Sequence, residues 1–121
     1  MVLALVDDLM FRSKITSAAA QSGVAVTFTG SSAAALASMR VAAPALVIFD
    51  LNNPRTDPLG TIAAMKQDAT LASIPTVGYV SHVDTATIDA ARAAGVDEVM
   101  ARSAFTAKLP DIISVRTTRP Q

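Results

Sequence analysis

Two aspartates, Asp7 and Asp8, stand just past the apolar run Val2–Val6, and a third, Asp50, stands just past a second apolar run, Ala45–Phe49. Each run reads as a buried strand, so each carboxylate sits where it does little for stability. In open α/β sheets, ligands collect outside the carboxyl ends of the strands. If the first and third strands are neighbours, Asp7, Asp8 and Asp50 converge there. Converging carboxylates repel one another and raise each other's pKa unless a cation joins them. The cation suited to such oxygen donors is a hard divalent ion, Mg²⁺ above all. The loop Leu51-Asn52-Asn53-Pro54-Arg55-Thr56-Asp57-Pro58 follows directly and completes the candidate site.

Other chemistries are excluded by what the chain lacks. It has no cysteine, so disulfides, thiolate metal sites and a cysteine nucleophile are ruled out. Its one histidine, His82, rules out a multi-histidine metal site and leaves no credible Ser-His-Asp arrangement. The first turn reads Asp-Asp-Leu-Met and carries no glycine-rich phosphate loop. Lys+Arg and Asp+Glu balance at 10 each, which gives no electrostatic reason to expect nucleic acid or an anionic membrane as partner. No apolar stretch approaches the roughly 18 residues of a membrane span, and the N-terminus lacks the marks of a signal peptide. A cytoplasmic protein is the expectation.

Elements that could position the acids follow from periodicity. Strands are predicted at Val2–Val6, Val24–Phe28, Ala45–Phe49, Thr76–Val80 and Glu98–Ala101, all nearly continuous in apolar character, as expected of strands buried on both faces. Between them, Met10–Gln21 places Phe11, Ile15, Ala18 and Ala19 on one helical face. Ser31–Arg40 has a serine N-cap and carries Leu36 and Met39, Leu59–Gln67 carries Ile62 and Met65, and Asp84–Ala94 starts at an Asp cap and stops at Gly95. A last helix is expected with Pro110 in its first turn. Alternating strands and helices imply a parallel sheet, and five units in 121 residues fit an α/β, three-layer, flavodoxin-like (βα)5 fold with strand order 2-1-3-4-5. Residues 1–116 are expected to form a single domain and 117–121 a short polar tail.

These same residues carry a resemblance. Asp7-Asp8, Asp50, Asn53-Pro54…Asp57, Ile74-Pro75 before the fourth strand and Ala94-Gly95-Val96-Asp97 before the fifth resemble the receiver domain of bacterial two-component response regulators, the single-domain chemotaxis regulator being the nearest plan. The resemblance covers about residues 2 to 115. It implies that Asp50 accepts a phosphoryl group from a histidine kinase, a phosphotransfer protein or a small phosphodonor. It also implies Mg²⁺ held by Asp8, by Asp50, by the carbonyl of Asn52 and, largely through water, by Asp7. A downstream effector protein would read the output, and a homodimer would form through the helix 4/strand 5/helix 5 face. With no output domain attached, the effect would travel through another protein.

The sequence also departs from that pattern. Arg102 falls where a receiver has Lys, and Ser103 replaces the Pro that follows it. Val80 falls at the hydroxyl switch position, with Ser81 one residue later as the candidate substitute, and Val99 replaces the aromatic switch residue. Pro58 replaces a Gly. The chain therefore reads as an atypical receiver with a complete acceptor half and an altered signalling half. One alternative is a phosphorylation-independent pseudo-receiver that binds partners constitutively, with Arg102 paired to Asp50. Another is a phosphatase of similar topology, disfavoured because Asn52 stands where a haloacid-dehalogenase-like enzyme has its second Asp. The chain is not expected to be an enzyme. Asp57 is expected to cap the next helix, Phe105 to be core, and His82 to be an exposed loop residue.

Overall fold

The structure, a computed structural model, describes residues 1–81 and 84–117. His82 and residues 118–121 of the expected 117–121 tail lie outside the described residues, and Thr117 ends the last helix. Five strands, β1 (Val2–Leu5), β2 (Val26–Phe28), β3 (Leu46–Asp50), β4 (Thr76–Val80) and β5 (Glu98–Ala101), form one sheet in the order β2-β1-β3-β4-β5. Every neighbouring pair is parallel. The helices are α1 (Leu9–Gln21), α2 (Ser32–Val41), α3 (Pro58–Gln67), α4 (Thr85–Ala94) and α5 (Arg102–Thr117). The predicted flavodoxin-like (βα)5 architecture and its strand order are those observed. No helix among the described residues is long and apolar enough to cross a membrane.

Strand alternation sorts the core into two halves. Val2, Ala4, Leu46, Ile48, Val77 and Tyr79 pack under α1 and α5, against Phe11, Ile15, Phe105, Leu109 and Ile113. Leu3, Leu5, Val47, Phe49 and Val80 face the other way, onto Met39 of α2, Ile62 and Met65 of α3, and Ala91 of α4. Expected helical faces match this division: Phe11, Ile15, Ala18 and Ala19 of α1 are all buried. The outer strands differ from the expectation of two buried faces. β2 and β5 are edge strands and are only partly buried, with Thr27, Glu98 and Ala101 exposed. β2 is also shorter than expected, starting at Val26 instead of Val24.

Side-chain caps start four of the helices. Asp8 accepts a hydrogen bond from the Phe11 N–H at 3.1 Å, Ser31 from Ala34, Asp57 from Gly60 and Asp84 from Thr87. α4 ends at Gly95, whose φ of 113° is the left-handed conformation expected of the residue after a helix.

The last helix corrects a prediction. Pro110 lies well inside α5, because α5 begins at Arg102, directly after β5. Local proline rules give way here to a stripe of Phe105, Leu109, Ile112 and Ile113, whose spacing buries one helical face under the sheet. Pro110 itself is exposed, so its missing N–H falls on the solvent side of the helix.

Candidate functional site

Asp50 is the last residue of β3, not the first residue past it. It continues the Leu46–Ile48 row toward α1 and α5, and its register partner on β4 is Tyr79. On the other side of β3, Leu5 ends β1 opposite Phe49. The chain then leaves the sheet, and Asp7 and Asp8 fall beside Asp50. All three acids line one cleft together with Asn52, Asn53, Arg55 and Ser81. The sheet order and the register therefore produce the convergence expected from sequence.

Each acid has a distinct environment. Asp50 is half-buried, and its Oδ1 accepts the Asn52 N–H at 3.1 Å. Burial raises its pKa above the usual carboxylate value. The Asn52 N–H and the Arg102 charge oppose that rise, while Asp8 and Asp7 add to it by repulsion. Asp7 is held at Oδ2 by the Asn53 side-chain amide at 2.8 Å and by the Arg55 guanidinium at 3.1 Å. Asp8 gives Oδ1 to the α1 cap and Oδ2 to Arg102 at 3.5 Å.

Arg102, expected at the lysine position, is the first residue of α5, and its guanidinium also lies 4.6 Å from the centroid of the Phe11 ring. Its ion pair is with Asp8, not with Asp50 as the pseudo-receiver alternative had it. Ser81 does reach the cleft. Its N–H donates to the Asn52 side-chain oxygen, which ties the end of β4 to the loop after β3. Val80, expected at the hydroxyl switch position, is buried in the opposite half of the core, under α2, α3 and α4. Val99 is half-buried on that same half. Asp57 caps α3 and Phe105 is core, as expected.

The loop after β3 belongs to the expected site, yet nothing in the sequence predicts the side-chain contacts of Arg55, Asn52 and Asn53. Each makes a contact to a residue far away in sequence, Asn53 across 46 positions and Asn52 across 29. No local pattern signals such contacts.

In kind, the donors suit Mg²⁺: Asp7, Asp8 and Asp50 line one cleft, together with Asn52 and Asn53. In arrangement, among the described residues no three acidic or histidine side chains are gathered closely enough to hold a metal ion. Two arginines stand in the way, one on Asp7 and one on Asp8.

Behind the cleft lies an aromatic stack. Tyr79 sits between Phe11 and Phe105, with ring centroids 4.7 and 4.9 Å away. Its hydroxyl is buried and has no hydrogen-bond partner among the described residues. Burial and the nearby Asp50 charge push the phenol pKa up. Removing an unpaired buried hydroxyl removes a desolvation cost of about 1–3 kcal/mol. Tyr79→Phe is therefore expected to raise stability by about 1 kcal/mol, measured as a higher denaturant midpoint at unchanged slope.

No family model and no curated relative matches the chain. Solved structures do. A response regulator from Hahella chejuensis superposes with a TM-score of 0.87 at 21% identity, covering 99% of this chain and 98% of that one. This is a response-regulator receiver fold. A second receiver-fold structure, a response regulator from Burkholderia multivorans, has a TM-score of 0.77 at 27% identity and covers 99% and 95% of the two chains. The receiver domain of a sensor histidine kinase from Pseudomonas aeruginosa, solved with a magnesium ion coordinated in its active site cleft, matches at 16% identity and a TM-score of 0.80, over 93% and 92%. Within that receiver fold, the acid cleft of this chain stands at the carboxyl end of the central strand.

Proposed function

We propose that this chain is a phospho-accepting receiver that takes a phosphoryl group on Asp50 with Mg²⁺ and signals through protein–protein contacts in a two-component phosphorelay. The observation that carries the reading is Asp50 itself: a half-buried carboxylate at the end of the central strand, sharing one cleft with Asp7 and Asp8. A carboxylate oxygen of Asp50 attacks phosphorus in line with the leaving group. The new O–P bond forms as the donor's bond to phosphorus breaks, and the leaving group departs with its electron pair. Asn52 N–H fixes one carboxylate oxygen, which leaves the other to attack. Asp8, Asp50 and the Asn52 carbonyl would hold the metal, with Asp7 acting through water. When bound, Mg²⁺ supplies charge neutralisation for nucleophile and phosphoryl oxygens. Arg102 and Ser81, at the edge of the cleft, meet the added phosphoryl charge. The partners are a histidine kinase or phosphotransfer protein upstream and an effector downstream, in the cytoplasm, with α4, β5 and α5 as the output or homodimer face.

The deciding experiment is incubation with acetyl phosphate and Mg²⁺, read by intact mass. A Mg²⁺-dependent adduct supports the reading, and its absence under saturating donor overturns it.

One observation favours the second reading, a constitutive binding module: both flanking acids already carry arginine partners. Arg55 is largely exposed, and exposed ion pairs are worth about 0–1 kcal/mol, so releasing Asp7 from it costs at most about fivefold in metal affinity. Arg55→Ala is accordingly expected to tighten Mg²⁺ binding about two- to fivefold, measured by titration of the amide resonances of the 50–55 loop. A chain that shows no Mg²⁺ response with either residue at position 55 is the constitutive module.

A further inference from the structure

The loop after β3 and the end of β4 meet at one side chain. Asn52 donates its main-chain N–H to Asp50 Oδ1, and its side-chain oxygen accepts the N–H of Ser81, the residue that follows β4. One residue thus touches both the acceptor carboxylate and the segment that leads to α4, whose cap is Asp84. The neighbouring tie is made by main chain alone: the Leu51 N–H donates to the Tyr79 carbonyl at 3.0 Å. Ser81 lines the acid cleft together with Asp50 and Asn52, so its N–H is a donor at the rim of that cleft, held by a neutral amide oxygen. Val80, the residue before it, has no hydroxyl and is buried on the other side of the sheet, so its side chain cannot answer a charge placed on Asp50. A phosphoryl group brings about two negative charges and three acceptor oxygens. A hydrogen bond to an ionised acceptor is about twice as strong as one to a neutral acceptor. Loading of Asp50 therefore offers the Ser81 N–H a stronger partner, and Asn52 is the group that must give it up.

We propose that the Asn52 side chain is a latch: it holds the Ser81 N–H while Asp50 is unmodified and yields it to the phosphoryl group on Asp50, so that the end of β4 and the start of α4 shift with the state of the acceptor. This rests on the phospho-accepting reading above and adds to it the contact through which loading is felt outside the cleft. Asn52 acts here as a positioning residue, through Ser81, and the exchange breaks and forms hydrogen bonds only. It takes the place of the hydroxyl that position 80 lacks.

The test reads backbone amide shifts of the full chain, first in Mg²⁺-free buffer and then with Mg²⁺ and beryllofluoride, a stable mimic of the phosphoryl group. Asn52→Ala keeps the main-chain N–H and carbonyl of the loop and deletes the latch. Without beryllofluoride, it is expected to move the Ser81 amide proton upfield and to speed its exchange with solvent about two- to tenfold, while the Leu51 amide keeps its shift. Asn52→Asp keeps an oxygen on the Ser81 N–H and is expected to hold that exchange at or below the wild-type rate. In the wild type, beryllofluoride is expected to shift Ser81 and the amides of the first turn of α4. In Asn52→Ala those same amides are expected to lie, before any beryllofluoride is added, part-way along the line joining the two wild-type states, which a general loosening of the loop would not produce. A wild type that takes up neither beryllofluoride nor, by intact mass, a phosphoryl group from acetyl phosphate overturns the phospho-accepting reading and the latch with it. An adduct that forms and leaves the Ser81 amide unmoved overturns the latch alone. So does an Asn52→Ala variant whose Ser81 amide matches the wild type, or whose Leu51 amide moves along with it.

Discussion

Asp50→Asn is expected to lose the acyl-phosphate adduct completely and, in the same protein, to melt at a higher temperature than the wild type at pH 7. Loss of the adduct follows because an amide is not a nucleophile toward phosphorus and the flanking acids are already engaged, Asp7 by Asn53 and Arg55, Asp8 by Phe11 and Arg102. The gain in stability follows from the direction of the Asp50 pKa. Burial, with repulsion from Asp8 and Asp7 adding to it, raises that pKa in the folded state. The folded protein therefore holds the Asp50 proton more tightly than the unfolded chain does. Where folding takes up protons, stability falls as pH rises. The contribution of Asp50 is favourable below the ordinary carboxylate value of 3.8 and is lost as pH climbs through the raised folded value. At pH 7 the wild type carries the full penalty of a charged, partly desolvated group, and the amide carries none. The Asn52 N–H keeps an acceptor in either case, since an amide oxygen replaces the carboxylate oxygen. The difference in melting temperature between variant and wild type should shrink as pH drops toward 3.8. Melting curves of both proteins at pH 7 and near pH 4 test this, with intact mass after acetyl phosphate treatment as the companion measurement. A variant that melts lower than wild type at both pH values would mean that Asp50 holds the fold together and is not strained for chemistry. Functional groups of this kind commonly trade stability for activity.

What sequence could say about this arrangement depended on whether the cause was local. The row Leu46, Ile48, Asp50 is a two-residue period within one short run, so both the core and the placement of Asp50 on the α1/α5 side follow from the alternation and the sheet order. Caps are local as well, which is why Ser31, Asp57 and Asp84 read correctly. Contacts that shape the cleft are not local. Arg55 meets Asp7 only because β1 and β3 are neighbours, and Asn52 meets Ser81 only because β3 and β4 are. At each, a side chain of the loop after β3 is committed to another loop, a contact that no local pattern signals. The start of α5 failed for the opposite reason. A strong local signal, Pro110, was outweighed by tertiary burial of Phe105, Leu109 and Ile113. Arg102 combines both problems. Spacing put it at the edge of the site, but its choice of Asp8 and the Phe11 ring over Asp50 depends on where α5 begins.

Gly78→Val is expected to destabilise the protein by about 3 kcal/mol and to disturb the acid cleft at the same time. Gly78 lies in the middle of β4 with Phe49 as its register partner on β3. A Cβ at this position would stand 2.6 Å from Leu51 Cδ1 and 2.8 Å from Leu51 Cγ, closer than any real contact. Leu51 cannot swing away cheaply, because its side chain is only 6% exposed and is packed in the core under α2, α3 and α4. Its backbone is fixed as well, since its N–H donates to the Tyr79 carbonyl at 3.0 Å. Leu51 follows Asp50 directly, so displacing it shifts the loop that carries Asn52 N–H to the acceptor carboxylate. β-Branched residues favour strands, so propensity alone predicts the reverse sign, and the substitution separates packing from propensity. Leu51→Ala alone leaves a cavity and costs about 2–4 kcal/mol. Because the two side chains compete for one volume, the double variant Gly78→Val with Leu51→Ala should be more stable than the sum of the single effects allows, by about 1–3 kcal/mol of coupling. Denaturant midpoints of the four proteins close this cycle. Additive effects would place the collision elsewhere, and an Asp50 adduct yield unchanged in Gly78→Val would show that the acceptor loop does not depend on Leu51 for its position.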